Sequence, residues 1–295
     1  MGGIIIGVLE QGFIYGIMAL GVYITYKILD FPDLTTDGSF PAGAALTAVM
    51  ITSGFNPYLT LIVSFIFGMF IGALTGIIHV KFKVRDLLSG IIMMTALYSI
   101  NLRIAGKANV PLFSQETVFD NGFLSGIMPE SLASYQTVII AFILTVIAKI
   151  LLDAYLKTKS GFLLRAVGDN ETLVTSLAKD IGIVKITGLA IANGLIALSG
   201  SIMCQQQRFF DASMGTGTVV IGLASVIIGT NVFKNLTLMK ATTAVIIGSV
   251  VYKGCVAFAI GCGMSSTDLK LVTAALFLII LIVTMDRKKK VKKNA

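Results

Sequence analysis

The chain has 295 residues, of which 56% are hydrophobic and 13% charged, with a formal net charge of +8. Soluble domains run at about half apolar and about a quarter charged, so there is too little polar surface here to solvate a globule of this size. A soluble enzyme, a disordered scaffold and a disulfide-rich secreted module are excluded, which leaves an integral membrane protein.

Crossing a hydrocarbon layer of about 30 Å takes about 20 helical residues. Apolar runs at 4–26, 40–53, 58–80, 87–104, 135–155, 186–204, 218–233, 241–260 and 269–285 therefore predict an all-α, polytopic membrane bundle of nine spans. No basic stretch precedes the first run, so no cleaved leader is expected. In that run Gly12 and Gly16 form a G-x-x-x-G step, and Gly68, Gly72 and Gly76 form two more in the third. Close backbone approach is a main source of helix contact energy in lipid, so these steps predict a compact bundle and not a pore. The second and seventh runs are short and begin in Gly-rich sequence. The fourth run leads into a long connection, 105–134, carrying Asn109, Gln115, Glu116, Asp120 and Glu130. The fifth leads into 156–185, where Leu163, Leu164, Val167, Leu173, Val174 and Leu177 lie among charges, the pattern of a short helix along the membrane face. The last run ends in a basic tail, 286–295, with Arg287, Lys288, Lys289, Lys290, Lys292 and Lys293 beside a single acid, Asp286. Residues 1–285 read as one transmembrane domain. The charge excess confined to that tail suits anionic lipid and excludes a nucleic-acid-binding face.

Basic residues set the orientation. With the N-terminus outside, the inner connections and tail hold 18 of the 23 Lys and Arg, leaving Arg103, Lys107, Arg208, Lys253 and Lys270 on the outer side. The positive-inside rule selects N-out and C-in.

The chain has no phosphate-binding loop, no H-E-x-x-H and no G-x-S-x-G, so neither ATP hydrolysis nor other catalysis is expected of it. Cys204, Cys255, Cys262 and the single His79 have no metal-ligand spacing, and no metal site is expected. Polar residues gather instead where helices break. Residues 30–41, DFPDLTTDGSFP, place Thr35, Thr36, Asp37, Gly38 and Ser39 before the second span; residues 211–218, DASMGTGT, place Gly215 and Gly217 before the seventh. Interrupted short segments in corresponding positions of two inverted halves point to a translocation pathway, because non-helical backbone at membrane depth must line a cavity or be buried in protein. The alternative is a pair of interfacial loops whose own Asp37 or Ser39, and Thr218, cap the following helices. Glu10, Asn101, Asn193 and Lys253 are polar outliers inside spans. Glu10 and Lys253 are placed to snorkel outward and Asn193 suits an interhelical hydrogen bond, with a solute contact as the alternative for each of the four.

The opening GFIYGIMALGVYITYKILDFPDLTTDGSFPAGAA resembles the start of permeases in the superfamily of branched-chain amino acid (Liv-type) and ribose-type ABC importers. Within it, the segment is similar to the subgroup paired with tryptophan/tyrosine-type binding lipoproteins. SGFLLRAVGDNETLVTSLAKDIGI resembles the coupling segment of that superfamily, with Gly161, Arg165, Ala166, Asp169, Asn170 and Gly182. The stretch from Ala192 to Gly229 fits as well. The resemblance implies a homodimeric permease in the plasma membrane, coupled through 156–185 to two ATPase subunits that carry the ATP and magnesium, with no cofactor in this chain. It also implies an extracytoplasmic binding protein or lipoprotein that delivers the solute, an amino acid. An ion-coupled secondary transporter, which needs no inner docking helix, stands as the alternative, with a channel as a third reading.

Overall fold

The computed structural model describes residues 2–120, 135–169, 180–233 and 239–261, and of the stretch beyond them residues 263, 271–275, 277–280 and 282. Helix α1 (Gly2–Val22) runs into a π-helical turn, Tyr23–Ile28. Then come α2 (Thr36–Thr52), α3 (Pro57–Lys81), α4 (Asp86–Ala105), strand β1 (Asn109–Pro111), α5 (Gln136–Leu156), α6 (Lys159–Asp169), α7 (Ile181–Gln207), strand β2 (Phe209–Asp211), α8 (Thr218–Val232) and α9 (Ala241–Gly261). A shorter apolar helix, Leu271–Ile280, follows.

Among the described residues, six helices are long and apolar enough to cross a membrane: Gly3–Ile28, α3, α4, α5, α7 and α9. The chain is a polytopic helical membrane protein. The second and seventh predicted spans are present as helices but fall short, with 17 residues in α2 and 15 in α8. At about 1.5 Å per residue α8 is about 22 Å long, less than the hydrocarbon thickness, so any crossing at that point uses non-helical chain as well. The predicted basic tail at 286–295 lies outside the described residues.

Chain-local chemistry marks several helix ends. Asn56 Oδ1 accepts from the Tyr58 N–H with Pro57 in the first turn of α3, and Asp180 Oδ1 accepts from the Gly182 N–H at the start of α7. Gly106 and Arg208 close α4 and α7 in the left-handed conformation. Asp153 accepts from Lys149 (3.2 Å), Lys240 (3.1 Å) and Thr242 (2.7 Å), which ties the end of α5 to the start of α9.

The centre is α2, which is buried on nearly every side between α3, α4 and α7. It fits there because its side chains are small: Gly43 and Gly200 face one another's helix so closely that a Cβ on either would overlap the carbonyl oxygen of Ala197 or Phe40. Antiparallel α3 and α7 pack just as tightly. Gly68, Gly72 and Gly76 meet Asn193, Leu189 and Ile186 in turn, so the predicted small-residue face is the contact. The all-α expectation needs one amendment. β1 and β2 form an antiparallel ribbon, Asn109 opposite Asp211 and Pro111 opposite Phe209. Its formation follows from burial, because Phe210 and the adjoining Leu112 pack onto Ala44, Ala45 and Ala48 of α2 and onto Cys204. An ion pair between Arg208 and Asp120 closes the same end.

A candidate translocation site where two broken helices meet

The two helix breaks predicted from the sequence are in contact. Asp37, in the first turn of α2, accepts hydrogen bonds from the Gly217 N–H (3.1 Å), the Val219 N–H (2.8 Å) and the Thr218 hydroxyl (2.9 Å), all at the start of α8. A side chain of one helix thus satisfies the open N–H groups of another, and its negative charge lies against the positive end of that helix. The self-capping alternative is not what these residues do. The N-cap positions are Thr35 for α2 and Gly217 for α8, and neither supplies a side-chain cap bond.

Three local features make this junction possible. Pro41 lies inside α2 and has no N–H, so the Asp37 carbonyl lacks its usual helical donor. Gly215 packs against that carbonyl and the Pro41 ring, where a Cβ would overlap the oxygen. Gly217 turns the chain into α8 at φ +85°, a conformation that glycine adopts without strain.

A second layer of bonds fixes the approach to α2. Asn193 is fully buried and bridges it: Nδ2 donates to Asp33 Oδ2 (2.8 Å) and to the Leu189 carbonyl (3.0 Å), and Oδ1 accepts from the Ser39 hydroxyl (2.7 Å). Asp33 Oδ1 accepts from the Thr35 N–H (2.8 Å), and the Thr36 hydroxyl donates to the Asp33 carbonyl (3.1 Å). The Thr35 and Thr75 hydroxyls pair at 3.1 Å, and Asn101 Nδ2 donates to the Gly38 carbonyl (3.1 Å). All eight predicted pathway residues, Thr35, Thr36, Asp37, Gly38, Ser39, Asn193, Gly215 and Gly217, are therefore in one connected region. Asp33 and Asn101 belong to it as well. Asp33 is one of three acids in the same break, and Asn101 is a polar residue inside a span; those were their only sequence signals. Among the described residues, neither Asp33 nor Asp37 has an ion-pair partner.

Glu10 and Lys253 lie apart from this region. Glu10 Oε2 accepts from Gln206 Nε2 (3.1 Å). Lys253 Nζ donates to Gln11 Oε1 (3.3 Å) and lies 3.8 Å from the Tyr15 ring centroid, and Tyr15 stacks on Phe40 of α2.

The inner segment is helical where it is described. α6 buries Leu164 and Val167 and presents Phe162 (61% exposed) and Arg165 outward, with Ala166 half-buried. It is anchored to the end of the first span, since a Cβ on Gly168 would overlap the Ile28 carbonyl, and Leu164 and Leu29 both close on Gly188 of α7. Gly161 packs on the Tyr155 carbonyl in the turn from α5, and Asp169 is the last residue of α6. Gly182 is not on this helix; it occupies the first turn of α7, where Asp180 holds its N–H. Asn170 lies outside the described residues.

A multi-pass bundle, packed through glycines around a polar junction of two short helices, defines a membrane transport protein. Residues 4–285 match the family described as the permease component of branched-chain amino acid transport systems, and the chain belongs to that family. It is 51% identical over 270 residues to the tyrosine transport system permease protein of Clostridioides difficile, covering 92% of this chain and 88% of that protein. It is 26% identical over 234 residues to the branched-chain amino acid transport permease protein LivH, so described as probable, of Methanocaldococcus jannaschii, covering 75% and 73%. No solved structure matches the chain. The protein is a multi-pass permease of the plasma membrane.

Proposed function

We propose that this chain is the membrane subunit of an ATP-driven importer and that the Asp37–α8 junction forms part of the pathway for an amino acid with an aromatic side chain. The junction is the observation that carries the reading. The start of one short helix held by a carboxylate in the first turn of another marks a place where backbone polarity is available to a solute. The 51% identical relative is named for tyrosine transport, which supports the aromatic class. Nine spans, N-out and C-in, with α2 and α8 as the short members of inverted halves, fit the positive-inside count.

In this reading α6 is the docking helix for two ATPase subunits, which bring ATP and magnesium, and the exposed Phe162 and Arg165 face them. Gly161, Ala166, Asp169, Asn170 and Gly182 belong to the same coupling segment of the sequence. The route inward is short. α6 rests on Ile28, and Asp33 and Asp37 follow within ten residues of chain, so movement of α6 reaches the junction through one connected backbone. A second copy of the chain completes the pathway, and an extracytoplasmic binding protein or lipoprotein delivers the solute.

The test is co-purification and uptake. The wild-type chain is expected to carry an ATPase subunit through purification and to support ATP-dependent uptake in liposomes, and R165E is expected to abolish both. Uptake driven by an ion gradient without an ATPase subunit would overturn the reading in favour of a secondary transporter.

A further inference from the structure

A cavity of about 410 Å³ opens beside the junction, between the start of α2, the α4 face and the loop before α8. Its wall includes Asp37, Pro41, Met94, Thr95, Tyr98 and Asn101. The volume falls within the range of small-molecule sites, about 300–1,000 Å³.

One buried acceptor at this wall is unmet. The Asn101 side chain is 2% exposed, its Nδ2 is committed to the Gly38 carbonyl, and its Oδ1 has no partner. An unpaired buried acceptor costs about 1–3 kcal/mol, which a donor arriving from the cavity would recover. The nearby donors are already used: Gly217 and Val219 give their N–H groups to Asp37, and Thr218 gives its N–H to the Gly215 carbonyl. The Tyr98 and Thr216 hydroxyls on the wall can donate or accept, whereas Asn101 Oδ1 and the Asp37 carboxylate can only accept. Asp37 adds a carboxylate without a cationic partner among the described residues, and this favours a charged donor over a neutral one. One turn along the same helix faces, Met94, Pro41 and the Tyr98 ring supply apolar lining suited to an aromatic side chain.

We propose that this cavity is a binding subsite for the α-ammonium group of the transported amino acid, with Asn101 Oδ1 accepting from it, Asp37 supplying the counter-charge and Tyr98 flanking the side chain. The assignment rests on the transport reading above and deepens it. It separates recognition of the amino group, at Asn101 and Asp37, from the glycine packing that shapes the rest of the bundle.

The experiment uses the assembled transporter with Cys255 and Cys262 replaced by alanine and Thr95→Cys at the cavity wall. The introduced thiol is labelled with a water-soluble methanethiosulfonate in the presence of phenethylamine, L-phenylalanine or 3-phenylpropionate. The two ammonium compounds are expected to slow labelling by about threefold at twice their Kd, as 1 + [L]/Kd requires, and the amine-free acid to leave it unchanged. N101L should abolish protection and N101D, which keeps an acceptor but no longer donates to Gly38, should retain it. Equal protection by phenylpropionate, or undiminished protection in N101L, overturns the subsite. Loss of protection in N101L and N101D alike assigns Asn101 a purely structural role and also overturns it. Uptake measured in the same liposomes separates the two claims: amino acid uptake without protection sinks the subsite alone, whereas no ATP-dependent uptake of any amino acid sinks the proposed function.

Discussion

Replacing Asp37 tests whether the junction of α2 and α8 holds the bundle together as well as shaping the pathway. Its carboxylate accepts three hydrogen bonds, two on Oδ1 from Val219 N–H and the Thr218 hydroxyl, and one on Oδ2 from Gly217 N–H. Asp37→Asn keeps an oxygen for the first two and turns an NH2 group toward the third donor. The Gly217 N–H then goes unmet at about 1–3 kcal/mol, and loss of the charge at the α8 N-terminus adds about 0.3–1 kcal/mol. The sum is about 1–4 kcal/mol, which at about 2–4 °C per kcal/mol lowers the apparent Tm by roughly 3–16 °C. Asp37→Ala removes all three acceptor contacts and should cost more than Asn. Detergent-solubilised protein followed by size-exclusion chromatography after heating reads this directly, with uptake measured on the fraction that remains monodisperse. Both variants should transport poorly, and the order of stability should be wild type, Asn, Ala. Wild-type Tm and wild-type uptake in Asp37→Asn, or Ala as stable as Asn, would refute the argument that this carboxylate caps α8.

Three further outcomes follow from the packing. Gly43→Ala should prevent folding, because the added Cβ meets the Ala197 carbonyl between two helices that cannot separate cheaply, whereas Gly7→Ala, with open space around it, should give wild-type yields of monodisperse protein. Asn193→Ala should destabilise by about 3–5 kcal/mol by stranding Asp33 Oδ2 and the Ser39 hydroxyl, a larger loss than Ser39→Ala in the same thermal assay. On α6, Leu164→Ala should cost about 2–5 kcal/mol as a core truncation, while Phe162→Ala should leave Tm unchanged and reduce ATPase co-purification.

The membrane class, six of the spans and the close face of α3 were legible in the sequence because each depends on local pattern. Twenty apolar residues in a row have few other uses, and Gly68, Gly72 and Gly76 recur at a spacing that only a helix brings to one side. The ribbon was not legible. Three-residue strands at Asn109–Pro111 and Phe209–Asp211 have no alternation long enough to read, and they pair only because Phe210 and Leu112 find a shared apolar surface on α2. Within the site, sequence placed polar residues in two breaks but could not say which break met which. Asp37 looked like a cap for its own helix, since N-cap preference is a local rule. Its actual partners are 180 or more residues away, a pairing set by the fold.

That long-range pairing explains how so few charges suffice inside this bundle. A bare carboxylate in hydrocarbon is costly, and a basic partner at the same depth would add a second desolvated ion. Asp37 is held instead by two backbone N–H groups, a hydroxyl and the positive end of α8, and Asp33 by a backbone N–H and the Asn193 amide. The partners of Asp37 are neutral, so none of them occupies its carboxylate as a counter-ion would. A lysine in their place would have tied the carboxylate into an ion pair that an incoming cation must break. Helix ends and amides leave Asp37 negative toward the cavity, where a mobile ammonium group adds the missing positive charge and can leave again.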